Sequence, residues 1–323
     1  LEKLWRRGIL LTICSKNNPD DALAAINEHP AMVLKLAHFA AHRINWESKA
    51  ANIRAIAQEL NIGLDSLVFL DDNPVERAQV RAELPQVLTP ELPADPAYYR
   101  TALLELRVFD SLTLTDEDRK RNTHYLQQRA RQAFAAQYES GTSLDQYLAD
   151  LQMVVEIAPA TAATLPRIAQ LTTKTNQFNL TTQRYTEAQI GALATRGGRV
   201  YGTRVTDRFG DNGLVGAAIL VPHSPTTWEI DTLLLSCRVM GRGVETALLA
   251  AVVEEAQRHG ATHVQGWYRP TVKNDPVKDC YRRHGFTLAV QTGEGAALWT
   301  LALAEARIAP PGWLTVHLQD PVA

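Results

Sequence analysis

Cysteine is nearly absent. Cys14, Cys237 and Cys280 are the three in 323 residues, too few and too widely spaced for a disulfide framework. Such sparse thiols point to reduced cysteines in a cytoplasmic protein. Neither sign of charge is in excess, with 33 Lys and Arg against 35 Asp and Glu. That excludes the global field by which nucleic acid or a membrane surface is recognised. No apolar run reaches the ~20 residues that span a bilayer, and no signal peptide opens the chain. Internal repeats and low-complexity tracts are missing as well. What is present is length enough for two domains with separate cores.

The first third alternates strand and helix signals. "GILLTIC" (Gly8 to Cys14) is a continuous apolar run, as expected of a parallel strand buried on both faces. "NPDDALAAINEH" follows with turn residues and then helical spacing. "WESKAANIRAIAQELNIGLDS" reads as an amphipathic helix closed by Asn61 and Gly63. "LVFL" is the next strand, Asn73-Pro74 opens another helix, and "QVLTPELP" is a shorter strand leaving through prolines. This alternation predicts an α/β fold with a doubly wound parallel sheet, in which ligands sit at the carboxyl ends of strands. Both "CSKN" and "DDNP" fall there.

From Thr113 to Tyr138 the spacing predicts one long polar helix, with Thr115 as N-cap, acids in the first turn and bases after them. It reads as a connector. The second domain follows as a strand (Met153 to Ile157), helices (Leu165 to Thr173, Glu187 to Ala194) and three strands around Tyr201, Leu214 and Leu233. "GRGVETALLAAVVEEAQRHG" is the strongest helix, ending at Gly260. A strand "THVQGWY", a helix "DPVKDCYRRHG" and two closing strands complete it.

Chemistry concentrates at two places. In the first, Cys14-Ser15-Lys16-Asn17 ends one strand, Lys49 sits early on a helix, and Asp71-Asp72 followed by Asn73 ends another strand. Adjacent carboxylates repel and require a cation. A hydroxyl, an ammonium and paired carboxylates at a switch point suit metal-assisted phosphoryl chemistry, with Mg²⁺ on Asp71 and Asp72. "DDNP" read alone is equally a strand-to-helix turn with an Asp cap. Cys14, beside the phosphate site, is a candidate nucleophile of lowered pKa, or a small apolar residue filling a buried strand. Cys237 rivals it; Cys280, inside an amphipathic helix, reads as structural.

The spacing of these three segments resembles motifs two, three and four of the haloacid dehalogenase (HAD) superfamily. "ICSKNN", "FAAHRINWESKAANI", "LNIGLDSLVFLDDNPVER", "LTDEDRKRN" and "KTNQFNLTTQRYT" are similar to the FkbH-like proteins of polyketide pathways. That resemblance implies a partial HAD-like sheet domain over 1–110, a connector over 111–143, a GNAT-like α+β domain over 144–305 and an extension over 306–323. It also implies an activity. The glyceryl group of 1,3-bisphosphoglycerate, or a related acyl phosphate, passes through a cysteine thioester to the phosphopantetheine of an acyl carrier protein. Cys14, Ser15 and Lys49 would be catalytic, and Lys16, Asn17 and Asn73 would bind substrate. The family's DxDx(T/V) nucleophile motif does not occur, so the chain is expected to be a fragment of a longer, synthase-associated polypeptide.

In the second place, "SCRVMGRGVETALL" resembles the coenzyme-A loop of GNAT acyltransferases at Arg238, Gly241 and Gly243, where helix N-terminal N–H groups hold a pyrophosphate. A simple helix-start turn would also explain the glycines. "KNDPVKDCYRRHGF" resembles that family's last helix, whose tyrosine, Tyr281 here, lies near the thioester. Asn176, Gln177 and Asn179 become candidates for pantetheine or acyl contacts, against the simpler reading of a hydrogen-bonded polar loop. Fold does not give the donor. A coenzyme A-dependent acetyltransferase on a HAD-like scaffold, and a non-catalytic docking module, stay open. Arg119, Lys120, Arg121, Arg129 and Arg131 on the connector are expected to form a basic surface for an acidic carrier protein.

Overall fold

The computed structural model describes residues 1–110, 116–138, 144–304 and 306–319. They divide into two compact units, Leu1–Ala130 and Arg131–Ala323.

Unit 1 contains α1 (Glu2–Arg6), β1 (Leu11–Ser15), α2 (Pro19–Glu28), β2 (Phe39–Ile44), α3 (Lys49–Leu60), α4 (Pro74–Glu83) and α5 (Tyr99–Glu105). The division between units falls within α6 (Asp116–Ala136), so the helix set apart as a connector belongs to both. Its predicted cap, Thr115, lies outside the described residues. β1 and β2 pair in parallel from Leu11 opposite Phe39 to Ser15 opposite Ile44. Local chemistry fixes α3 at both ends. The Ser48 hydroxyl accepts the Ala51 N–H at 3.2 Å, and Asn61 turns left-handed at φ 51°. Its inward face, Ala50, Ile53, Ile56, Ala57 and Leu60, repeats every three to four residues and supplies two of the unit's apolar clusters.

The doubly wound sheet is reduced. "LVFL" and "QVLTPELP" make no ladder, only a single parallel bridge between Val68 and Leu88. The Phe69 N–H to Leu88 O bond is 2.9 Å and the Leu88 N–H to Leu67 O bond is 3.1 Å. The physical reason is a lack of neighbours: β1 pairs on one edge only, and no described residue bridges it to the Val68 segment. Instead an apolar cavity of about 230 Å³ is lined by Leu11, Cys14 and Ile53 on one hand and Val68 and Leu70 on the other.

Unit 2 runs α7 (Leu144–Asp150), β3 (Met153–Pro159), α8 (Leu165–Lys174), β4 (Phe178–Asn179), α9 (Glu187–Thr195), β5 (Arg199–Asp207), β6 (Gly210–Ser224), β7 (Thr227–Leu235), α10 (Val244–Arg258), β8 (His263–Tyr268), α11 (Cys280–Arg283), β9 (Thr287–Gln291), β10 (Ala297–Ala302) and β11 (Leu314–Leu318). One mixed sheet has the order β11-β3-β5-β6-β7-β8-β10-β9, with β4 attached to β7. "DRFGDNGLVG" forms the β5–β6 turn and the start of β6. α10 packs Val244, Leu248, Leu249, Val252 and Val253 into the main core with Leu233 and Leu235 of β7. Two features differ from the sequence reading. The helix "DPVKDCYRRHG" shrinks to the single turn of α11, and the C-terminal extension enters the sheet as β11, parallel to β3.

Candidate functional site

The pair of aspartates in unit 1 has its cation. Lys49, at the first position of α3, is buried and places Nζ 3.1 Å from Asp71 Oδ2 and 2.6 Å from the Cys14 carbonyl, which accepts its N–H. Asp71 Oδ1 accepts the Asn73 N–H at 2.9 Å, and Asn73 Oδ1 accepts the Val75 N–H at 2.9 Å, capping α4. Arg77, unremarked in the sequence, donates Nη1–H to the carbonyls of Asp71 and Asp72 at 2.8 and 2.9 Å, and is held by Glu91 at 2.7 Å. Lys49 and Asp71 therefore meet directly, and Ser15 adjoins the Cys14 carbonyl that Lys49 binds. Asp72 and Asn17 are exposed; Lys16 is paired with Glu76 at 2.6 Å.

The expectation for the thiol changes here. Burial pushes the Cys14 thiol up to about 11; Lys49 pulls the other way, but Asp71 and Glu76 reinforce the rise. The lowered pKa expected from the nearby ammonium fails because desolvation outweighs it, and the S–H points at the Lys49 carbonyl, 3.8 Å away. Asp71 already faces an ammonium, and among the described residues no group of three or more His, Cys, Asp or Glu converges. Asp71 and Asp72 are the carboxylates that would hold Mg²⁺ in unit 1, and no step below runs through the ion.

In unit 2, β7 and β8 pair in parallel only from Thr227 opposite His263 to Ile230 opposite Gly266. Beyond that point, β4 lies along β7, with Phe178 opposite Leu235 and Asn179 opposite Leu234. The Leu180 N–H reaches the Leu233 carbonyl at 3.2 Å, and the Leu180 carbonyl accepts the Arg269 N–H at 2.8 Å. Asn179 is wholly buried, its amide joined to Thr175 O and the Thr182 N–H. It holds the loop rather than facing a ligand, because its groups are spent within the chain. Asn176 accepts from Arg184 at 3.1 Å, and Gln177 is exposed.

Tyr281 stands on α11 against β8. It is 1% exposed, a Cβ on Gly266 would collide with its hydroxyl, and that hydroxyl has no hydrogen-bond partner among the described residues. Burial raises its pKa well above the usual phenol value, with Cys280, Glu229 and Asp231 adding to the effect. Missed by sequence reasoning, Asp231 on β7 takes the Tyr185 hydroxyl at 2.9 Å on both carboxylate oxygens.

The loop from Ser236 to Gly243 leads into α10. Cys237 is exposed, Arg238 Nε lies 3.4 Å from the Ser236 hydroxyl, and Gly241 and Gly243 have φ of 74° and 86°. The left-handed Gly243 is the N-cap of α10. The Arg242 carbonyl accepts Trp313 Nε1–H at 3.0 Å, while its Nη1, 3.9 Å from Asp207, is buried with no hydrogen-bond partner among the described residues.

Residues 165–286 match the model of the acetyltransferase (GNAT) family, so unit 2 carries a GNAT acetyltransferase domain. Among solved structures, the N-terminal part of a Bacteroides fragilis protein containing a phosphatase domain, complexed with Mg, is 50% identical over 35% of this chain and 30% of that one, at TM-score 0.34. This chain thus spans less than a third of that one. A GNAT family acetyltransferase from Elizabethkingia anophelis with acetyl-CoA bound is 17% identical over 46% of this chain and 97% of that one, at TM-score 0.35. The ribosomal-protein-S18-alanine N-acetyltransferase from Escherichia coli is 16% identical over 47% and 96%, at TM-score 0.36. No curated protein matches the chain.

Proposed function

We propose that the protein is an acyltransferase that loads a glyceryl or related hydroxyacyl unit from an acyl phosphate such as 1,3-bisphosphoglycerate onto the phosphopantetheine thiol of an acyl carrier protein. The observation that carries this reading is the Tyr281 hydroxyl, buried and unpartnered where β7 and β8 stop pairing. An unmade hydrogen bond costs about 1–3 kcal/mol in a buried site. A donor kept at that cost, in a phenol that stays protonated, suits a leaving thiolate. The enzyme thiolate first attacks the acyl carbonyl, and the C–O bond to phosphate breaks as phosphate leaves; in the transfer step the carrier thiol passes its proton to water and attacks the resulting thioester. The C–S bond to the enzyme breaks, and the departing sulfur receives a proton through Tyr281.

Of the three thiols, Cys14 and Cys280 are pushed up to about 11 and about 12 by burial, whereas Cys237 is exposed at the loop before α10. Cys237, the exposed thiol of the three, is where this reading puts the thioester, ahead of Cys14.

Intact-mass spectrometry tests this, with the protein, 1,3-bisphosphoglycerate and phosphopantetheinylated carrier. A glyceryl adduct is expected on the protein and then on the carrier. Cys237→Ala removes the adduct and Cys14→Ala keeps it. Tyr281→Phe slows transfer at least tenfold in kcat at unchanged KM for the carrier. Absence of any adduct or transfer sinks the proposal.

A further inference from the structure

Two guanidiniums share one carboxylate beneath the loop that precedes α10. Asp207, at the end of β5, is wholly buried, and Arg131 holds it through Nε to Oδ2 at 2.6 Å and Nη2 to Oδ1 at 3.0 Å. The Phe209 N–H at 2.9 Å and the Asn212 side-chain amide at 3.4 Å also donate to it. Arg242 comes last. Its Nη1 lies 3.9 Å from Asp207 Oδ2, too far for a hydrogen bond, and has no other partner among the described residues. Among those residues neither arginine is paired with a second carboxylate. A guanidinium only 12% exposed is therefore kept inward by charge and not by hydrogen bonding, an attraction that is several times stronger here than in water. The backbone around it is constrained as well. Gly241 and Gly243 on either side are left-handed, Trp313 holds the Arg242 carbonyl, and Val239 is fully buried. Cys237 is exposed two residues before Val239, so the loop has two inward anchors and one outward thiol.

We propose that Asp207 is a positioning residue for the Cys237 loop: by holding Arg242 inward it fixes the shape of the loop and keeps that cation away from the thiol. A buried guanidinium that loses its counter-charge moves toward water, because an unpaired charge is costly in the interior. The solvent side of this loop is where Cys237 stands. A cation beside a thiol lowers its pKa and raises the share of thiolate. Arg131 takes a different part. Without it Asp207 keeps its charge, and Arg242 becomes the cation that pairs with it. The importance of Cys237 comes from the acyltransferase reading, on which this inference rests; the hold of Asp207 on Arg242 does not depend on it.

The test is the rate at which iodoacetamide alkylates Cys237 in the whole protein near neutral pH, read by mass spectrometry of the Cys237 peptide. Two pairs of proteins differ at Asp207 alone: wild type against Asp207→Asn, and Arg131→Met against Arg131→Met/Asp207→Asn. The second pair keeps the test open if Asp207→Asn strands Arg131 and does not fold, which far-ultraviolet circular dichroism reports. Loss of the carboxylate is expected to speed alkylation about threefold or more in each folded pair, since the gain in thiolate outweighs its lower nucleophilicity. Arg131→Met alone should match the wild type. Adding Arg242→Gln to the faster member of a pair should return it to the rate of the slower one. Equal rates within the pairs overturn the proposal. So does an acceleration in Arg131→Met as large as that in Asp207→Asn, which would show a loosened interior and not a released cation. If the rates follow the expected pattern but no glyceryl adduct forms, the role of Asp207 stands and the acyltransferase reading falls.

Discussion

Lys49 carries more of unit 1 than its position suggests. Two carboxylates in succession at a strand end are tolerable because its ammonium, buried at the start of α3, lies 3.1 Å from Asp71 while Arg77 binds the backbone carbonyls of both aspartates. Both partners of the Lys49–Asp71 pair are nearly excluded from water, with side chains 8% and 9% exposed. Removing one charge then strands the other, a loss of roughly 3–5 kcal/mol. Lys49→Met is expected to destabilise the protein by that amount in denaturant melts. Asp71→Asn added to it should recover a substantial part, since the amide oxygen still accepts the Asn73 N–H. A double variant no more stable than Lys49→Met alone would mean the two charges are not coupled. The same buried setting explains why the thiol of Cys14 is not activated: a cation at the neck of the strand cannot offset the desolvation of a side chain that packs among Ile53, Ile56 and their neighbours.

At the level of elements, the sequence was most legible where local pattern and burial agree. α3, α4 and α10 fall where their caps and apolar spacing predict, and the three central strands of unit 2 follow their β-branched and leucine-rich runs. What local pattern could not supply was pairing. β4 is two residues long and exists because β7 offers an edge there; β11 exists because β3 does. Conversely "LVFL" is as apolar as any strand in the chain, yet without a neighbour on its open side it stays a single bridge. The candidate site divides the same way. Tyr281 was legible as the tyrosine of the last helix, but only the fold shows its hydroxyl against Gly266 with no partner among the described residues. Gly243 gives a test at this scale. Its φ of 86° and the Pro311 ring 2.7 Å from a would-be Cβ both oppose a side chain, whereas Gly260, at φ 73° after the end of α10, has open space around it. Gly260→Ala should cost only the left-handed penalty of about 1–2 kcal/mol. Gly243→Ala should cost more, by the about 1–3 kcal/mol of overpacking. Equal losses in thermal melts would show that the Pro311 segment yields freely.

Across the whole molecule, charge is where sequence and structure part most. The net charge is near zero, so any attraction to an acidic carrier must come from a local patch rather than a global field. The bases along α6 read as such a patch. Arg119 and Arg121 lie outside the described side chains; Lys120 is exposed, and Arg129 is 3.8 Å from Glu59. Arg131 is different in kind. It is 1% exposed and grips Asp207 with two hydrogen bonds, Nε to Oδ2 at 2.6 Å and Nη2 to Oδ1 at 3.0 Å. Asp207 sits 76 residues further along the chain, at the end of β5, and also accepts the Phe209 N–H of the turn that follows. No spacing rule within a helix could have announced that partner. Arg131 therefore belongs to the interior of unit 2, and its removal should act on folding. Arg131→Ala is expected to cost about 3–5 kcal/mol, because the Asp207 carboxylate is left buried without its bidentate cation. The rate at which a carrier protein associates, and the dependence of that rate on salt, should not change in the folded fraction. Stopped-flow association at low and high ionic strength, set beside urea melts of the same variant, separates the two roles. A variant as stable as the wild type that associates more slowly only at low salt would return Arg131 to the docking surface.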